Sequence, residues 1–225
     1  MSKPTVGIFG LTGCAGDQLV ILDCEDQLLD VLAAVDLRDF VMASSDNDGT
    51  CDLDLALVEG AVVTKKDELA LRRIRARART LVALGTCAVW GGIAAASGAA
   101  ALRELVKVDL NITGCPIEKE QFLSALCHLL NGNPPVAPDY PVCTECKMRE
   151  NNCLFLEKGE ICCGPLTAAG CDARCPQIGV PCVGCRGPAS DANLASARAV
   201  FSENGVSLEA VSRKLSTFVR AGARP

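Results

Sequence analysis

"TVGIFGLTGCAGDQL", Thr5 to Leu19, is the stretch on which the fold turns. Its first residues form an apolar run that reads as a β-strand, and the glycines after it read as a loop leading into a helix. The same unit recurs downstream. "DFVMAS", "LDLALVEG", "TLVALGT" and "VDLNITG" read as strands. "DQLVILDCEDQLLDVLAA", "KKDELALRRIRARAR", "AALRELVK" and "IEKEQFLSALCHLL" read as helices, the second solvated and of mixed charge. Strands alternating with helices predict an α/β domain built on a doubly wound parallel sheet with helices on both faces. Right-handed crossovers then bring "GLTGCAGD", "GTCAVWGG" and "TGCPIE" to the carboxyl edge of the sheet, where such folds bind ligands.

"NGNPPVAPDYP", Asn131 to Pro141, ends the alternation with proline and asparagine. It predicts two domains, residues 1–131 and residues 132–225. From 142 to about 188 the chain holds nine cysteines, with glycine and proline but few long apolar runs. Such a segment has too little core to fold alone, so bound metal must help hold it. The tail "SDANLASARAVFSENGVSLEAVSRKLSTFVRAG" predicts two short helices broken at "ENG".

Composition narrows the function classes. Of 225 residues, 49% are hydrophobic and 22% charged, which excludes a disordered or fibrous chain. A net charge of −5 without a basic run argues against nucleic acid or an anionic membrane surface as partner. Only 4% is aromatic, too little for base-stacking platforms. No apolar stretch reaches the roughly 20 residues that span a bilayer. "MSKPTVGIFG" has neither a basic and apolar secretory signal nor a twin-arginine motif, which predicts a cytoplasmic chain. There are 15 cysteines, an odd number, and thiols in a reducing compartment stay reduced. Metal ligation is therefore favoured over a disulfide framework.

Cys14, Cys87 and Cys115 each lie in a loop after a strand, beside glycine: "TGCAG", "GTCAV" and "TGCPI". Glycine lets the backbone approach an inorganic cluster and aim N–H groups at its sulfides. A four-iron cluster takes four thiolates, and a C-x2-C doublet commonly supplies two. Here the doublet partner of Cys14 is Asp17. Two other readings compete at this loop. Cys14 and Cys87 can be buried apolar cysteines. Gly10, Gly13 and Gly16 can form a phosphate loop with Asp36 as a ribose-binding acid, but their spacing is not G-x-G-x-x-G and leaves the other cysteines unexplained.

In the second half the doublets "CTEC" (Cys143, Cys146) and "CVGC" (Cys182, Cys185) are intact. The simplest nested division assigns Cys143, Cys146, Cys153 and Cys162 to one site and Cys171, Cys175, Cys182 and Cys185 to another, with Cys163 spare. Spacing alone leaves zinc and iron–sulfur both open.

"DYPVCTECKMRENNCLFLEKGEICCGPLTAAGCDARCPQIGVPCVGCRGP" resembles the small, electron-transferring subunits of cytosolic nickel–iron hydrogenases of the methyl-viologen-reducing (heterodisulfide-reductase-linked) and sulfhydrogenase delta types. "LTGCAGDQL", "ALVEGAV", "LVALGTCAVWGGI" and "NITGCPIEKEQFL" resemble the first half of the same subunits, so the likeness runs from Thr5 to Pro188. It implies a flavodoxin-like domain followed by an irregular cluster-binding segment and C-terminal helices. It also implies three 4Fe–4S clusters in place of zinc. Carried over, the proximal ligands are Cys14, Asp17, Cys87 and Cys115. The distal set is Cys143, Cys146, Cys153 and Cys162, and the medial set Cys171, Cys175, Cys182 and Cys185. Cys163 stands where an apolar residue is usual.

Asp17 is the departure: cysteine is usual there, although aspartate also occurs in the wider family. Carboxylate is a harder ligand than thiolate. The competing reading of Asp17 is a solvated helix N-cap. Cys24, about 10 Å further along the same helix, is a poor substitute ligand. The implied function is an electron relay, with a nickel–iron large subunit as one partner. The other partner is a downstream acceptor subunit, either a heterodisulfide-reductase-linked adaptor or a flavoprotein diaphorase. The chain carries no hydrogen-activating site and no membrane span of its own. The alternative is a relay scaffold in a related redox complex without hydrogen chemistry. Glu59 is expected to hold loop N–H groups or to line a path to a partner, while His128 and Cys51 are expected to be structural.

Overall fold

Five strands make the first sheet: β1 (Thr5–Gly10), β2 (Asp36–Phe40), β3 (Leu53–Glu59), β4 (Ala78–Leu84) and β5 (Leu110–Ile112). All pair in parallel, in the order β2-β1-β3-β4-β5. That is the strand order of flavodoxin-like doubly wound sheets. The computed structural model describes residues 3–219. The chain divides into two compact units, Met1–Pro135 and Val136–Pro225.

Five helices accompany this sheet: α1 (Gly16–Leu22), α2 (Asp26–Ala34), α3 (Lys65–Arg77), α4 (Gly85–Trp90) and α5 (Lys119–Leu130). On one face, Ile8, Leu57, Val82 and Leu84 cluster with Ile21 of α1 and Phe122 and Leu126 of α5. The alternate residues Ala56, Val58, Leu81 and Ala83 point to the opposite face and are equally buried. Covered on both faces, β3 and β4 read as continuous apolar runs, which is why they are the plainest strands in the sequence. α3 starts at a capping box: Thr64 Oγ1 accepts Asp67 N–H at 3.2 Å and Asp67 Oδ2 accepts Thr64 N–H at 2.8 Å.

Three elements differ from expectation. The helix read through residues 17–34 is two helices, because the chain turns at Asp23–Glu25 with Glu25 at φ 47° and Cys24 buried in the core. β2 begins earlier than "DFVMAS", and Asn47 Oδ1 takes the Phe40 N–H at 2.7 Å, drawing the chain out of the sheet. "AALRELVK" forms only a 3₁₀ turn, Leu102–Glu104. Ala100 is pinned to Val62 on one side and Asp109 N–H to Leu81 on the other, which leaves no length for a helix.

Asp109 fixes the start of β5. Its carboxylate accepts from Leu81 N–H at 2.9 Å, Arg75 at 2.6 Å and Lys107 at 3.0 Å. Burial pushes this carboxyl up, but those donors outweigh it and hold it at about 2. The folded state thus binds the proton more weakly than the unfolded chain. Its contribution is present above pH 4 and fades as pH falls toward 2. Asp109→Asn is expected to cost about 1–2 kcal/mol at pH 7, discounted for solvent screening, as read by urea unfolding.

The second unit carries α6 (Val142–Met148), α7 (Leu154–Lys158), α8 (Arg174–Gln177), α9 (Leu194–Glu203) and α10 (Leu208–Ser216). Its core gathers Val142, Phe155, Cys163, Ala173, Cys182, Ala197, Phe201 and Val211, with Phe155 and Phe201 edge to face at 5.2 Å. The tail helices supply Ala197, Phe201 and Val211 to that core. They are capped by Asn193 and Ser207 and break at Asn204–Gly205, as the sequence predicts. Among the described residues no helix is long and apolar enough to cross a membrane.

Candidate metal-cluster sites

In the first unit, the loops after β1, β4 and β5 carry Cys14, Cys87 and Cys115. Ala15, at φ 63°, turns the chain from Cys14 into α1, and Cys87 lies in the first turn of α4. The loops touch. Thr86 N–H donates to Gly114 O at 2.7 Å, and Ile117 N–H donates to Asp17 Oδ1 at 2.8 Å. A β-carbon on Gly16 would stand 3.3 Å from Cys14 Sγ and 3.8 Å from Pro116, next to Cys115. Burial pushes the Cys87 thiol up, the charges of Asp17 and Cys14 push it further, and the Ile93 N–H opposes them. Cys14, Asp17 and Cys87 therefore share one site, with the Cys115 loop against it.

Asp17 is not a solvated cap. It is only 6% exposed, and the α1 cap position is Ala15, with no side-chain cap bond. Gly85 makes room for it: at φ 77° a side chain there is strained, and its β-carbon would overlap Asp17 Oδ2. Burial raises the Asp17 carboxyl to about 7, against the Ile117 N–H and with the help of the Glu59 charge. A cation bound beside such a buried carboxyl would favour its ionised form. Glu59, buried at the end of β3, accepts Gln18 N–H at 3.0 Å and so fixes the first turn of α1.

In the second unit, α6 carries Cys143 and Cys146, Cys153 caps α7, and Cys162 follows in an irregular stretch. Burial pushes Cys143 up to about 12, with further repulsion from Cys162, Cys146 and Cys153. Those four are the nested set. Gly164 completes the cradle, since a β-carbon there would stand 3.2 Å from Cys143 Sγ and 3.5 Å from Cys162 Sγ. Cys182 N–H donates to Cys162 Sγ at 3.3 Å. Burial pushes the Cys146 thiol up and the Asn151 amide, whose Nδ2 is buried without a hydrogen-bond partner among the described residues, opposes it. N–H groups aimed at sulfur are the second shell that a thiolate-bound cluster uses.

Cys171 is raised to about 11, first by burial and then by Glu145 and Cys185, with the Arg186 charge opposing. Cys182 is raised by burial and by Cys162 and Cys185, against the Gly184 N–H and the Thr167 hydroxyl. Cys175 lies on α8, joined to this loop by Arg174 N–H on Cys171 O at 3.2 Å. Cys163 is fully buried in the core cluster of this unit, which also takes in Cys182. Asn151, Gly164 and Arg186 are the site residues that sequence reasoning missed. No periodicity marks them, although a glycine directly after "CC" and an arginine directly after "CVGC" were visible.

The remaining singled-out residues lie elsewhere. Cys24 turns into the core of the sheet. Cys51 sits in a loop gripped by Arg77, which donates to Cys51 O at 2.8 Å and to Asp39 at 2.6 Å. His128 lies within α5. Among the described residues, no three Cys, His, Asp or Glu side chains gather to hold a single metal ion.

Residues 14–129 match the family described as NADH ubiquinone oxidoreductase, 20 kDa subunit. The chain is 40% identical to sulfhydrogenase 2 subunit delta of Pyrococcus furiosus, over 96% of this chain and 99% of that one. It is 30% identical to a subunit of the vhu F420-non-reducing hydrogenase of Methanocaldococcus jannaschii, over 81% of each chain. Among solved structures it is similar to a chain of an NAD+-reducing NiFe hydrogenase, with TM-score 0.57 and 26% identity over 60% of this chain and 96% of that one. It also matches a chain of the actinobacterial-type NiFe hydrogenase from Ralstonia eutropha, with TM-score 0.67 and 17% identity over 100% and 94% of the two chains, a likeness of fold.

Proposed function

The chain belongs to the NADH ubiquinone oxidoreductase 20 kDa subunit family, among the small subunits of NiFe hydrogenases, and from that premise we propose that it relays electrons through three 4Fe–4S clusters. The relay joins a nickel–iron large subunit, where hydrogen is split, to a downstream acceptor subunit. That acceptor is a heterodisulfide-reductase-linked adaptor or a flavoprotein diaphorase. Cytoplasmic location is part of the same proposal. The proposed ligands are Cys14, Asp17, Cys87 and Cys115; Cys143, Cys146, Cys153 and Cys162; and Cys171, Cys175, Cys182 and Cys185.

The approach of Cys143 and Cys162 across Gly164, with Cys146 and Cys153 near enough for their charges to act on Cys143, carries the reading. With the Cys143 thiol pushed up to about 12, that group is protonated at neutral pH in the absence of metal, and binding must release its proton. When bound, each cluster accepts and gives up one electron. The chain's residues do the rest: thiolates hold the iron, the Cys182 and Ile93 N–H groups support sulfur, and burial excludes water.

The second reading, a relay scaffold without hydrogen chemistry, is favoured by the family's description after NADH ubiquinone oxidoreductase. Hydrogen-dependent reduction of a viologen dye separates the two. The complex purified with its large subunit is expected to contain nickel and to reduce the dye under hydrogen. An iron-loaded complex without nickel or dye reduction would transfer the case to the scaffold.

A further inference from the structure

Between the first two cysteines of the second unit stands a side chain that neither ligand set uses. Glu145 lies on α6, flanked by Cys143 and Cys146, and is 9% exposed. Its carboxylate does not serve its own helix. Oε1 accepts Gly170 N–H at 2.7 Å, Oε2 accepts Ala173 N–H at 3.2 Å, and Oε2 stands 3.9 Å from Cys171 Sγ. The loop it grips carries the first ligand of the other set.

That loop needs gripping. Asp172 and Ala173 follow Cys171 at φ 56° and 49°, a left-handed conformation that residues with a β-carbon keep only where contacts over-determine it. Ala173 is fully buried in the core of the unit. The second hold comes from the end of the same helix, where Arg149 pairs with both carboxylate oxygens of Asp172. Arg186 approaches from elsewhere: it is 2% exposed, donates to Ala169 O at 2.9 Å, and its charge favours the Cys171 thiolate. Glu145 thus stands against Cys171 while the Arg186 charge acts on the same thiol, and both groups are buried, where local charges act strongly.

We propose that Glu145 is a positioning residue shared by the two ligand sets: from the helix that carries Cys143 and Cys146 it shapes the Cys171 loop and biases the potential of the cluster bound there. A negative charge beside a cluster disfavours the added electron, so Glu145 lowers that midpoint and Arg186 raises it. Arg149 contributes geometry from the exposed side. The inference rests on the iron–sulfur reading of both sets.

The test is potentiometry followed by electron paramagnetic resonance on the whole complex, comparing wild type, Glu145→Gln, Glu145→Asp and Arg149→Gln. The Cys171-set signal is assigned as the one altered by Cys171→Ser. In Glu145→Gln its midpoint is expected to move positive with a changed line shape. Glu145→Asp, which keeps the charge, is expected to return the midpoint toward wild type. A role in packing alone would lose iron without moving the midpoint of the clusters that remain. Wild-type midpoint and line shape in Glu145→Gln would overturn the proposal. Should Glu145→Gln not assemble, Glu145→Asp and Arg149→Gln decide in the same measurement: with the charge kept but the reach to the Cys171 loop shortened or its outer hold removed, a changed line shape confined to the Cys171-set signal supports it, and a wild-type line shape in both variants overturns it. A wild-type complex without iron–sulfur signals would overturn the cluster reading and this proposal together, an outcome distinct from a normal wild type with an unaffected variant.

Discussion

Cys162→Ala is expected to remove about four iron and four sulfide from each chain, while Cys163→Ala, one residue on, removes none. The two thiols are neighbours in sequence and opposites in setting. Cys162 Sγ receives the Cys182 N–H and faces Cys143 across the notch at Gly164. Cys163 is fully buried with Phe155, Phe201 and Val211 in the core cluster. Its loss opens a small cavity, costing about 1 kcal/mol, a destabilisation readable as a lower unfolding midpoint at unchanged iron content. Iron loss from Cys163→Ala with retention in Cys162→Ala would reverse the assignment.

Asp17→Ala is expected to empty the site in the first unit and lower hydrogen-dependent dye reduction by at least about 100-fold, beyond the roughly 10–100-fold usual for outer-shell changes. Asp17→Cys, which recreates a C-x2-C doublet, is expected to keep the iron. The pH dependence follows from the carboxyl raised to about 7. Without iron, the ionised form is the penalised one, so the metal-free unit gains stability as pH falls from 7 toward 4. With iron, the proton competes for the ligand, so holding the cluster weakens below pH 7. Iron loss to a chelator should rise by up to about tenfold per pH unit between pH 7 and 6, and Asp17→Cys should alter that dependence. Equal iron in wild type and Asp17→Ala at every pH would remove Asp17 from the ligand set.

The residues explain how much could be read from sequence. β3 and β4 are buried on both faces, so their apolar runs announce themselves, and Thr64 with Asp67 marks the start of α3. Cysteine beside glycine after a strand placed Cys14, Cys87 and Cys115 at one sheet edge, because crossover handedness leaves the carboxyl-end loops no other place. What stayed hidden depends on distant pairing. The break at Asp23–Glu25 sits inside an unbroken amphipathic pattern, and the 3₁₀ turn at Leu102 is imposed by the pins at Ala100 and Asp109. Ile117 N–H on Asp17 spans 100 residues, and Glu145 reaches 25 residues to Gly170. Irregular backbone has no period, so such contacts leave no trace in spacing.

The central claim is three clusters in one chain. Iron, acid-labile sulfide, zinc and nickel should be counted in the complex isolated anaerobically with its large subunit. About twelve iron and twelve sulfide per copy of this chain, with nickel present and zinc absent, is the expected result. About eight iron would mean that the Asp17 site holds no cluster. Zinc in place of iron would contradict the relay altogether.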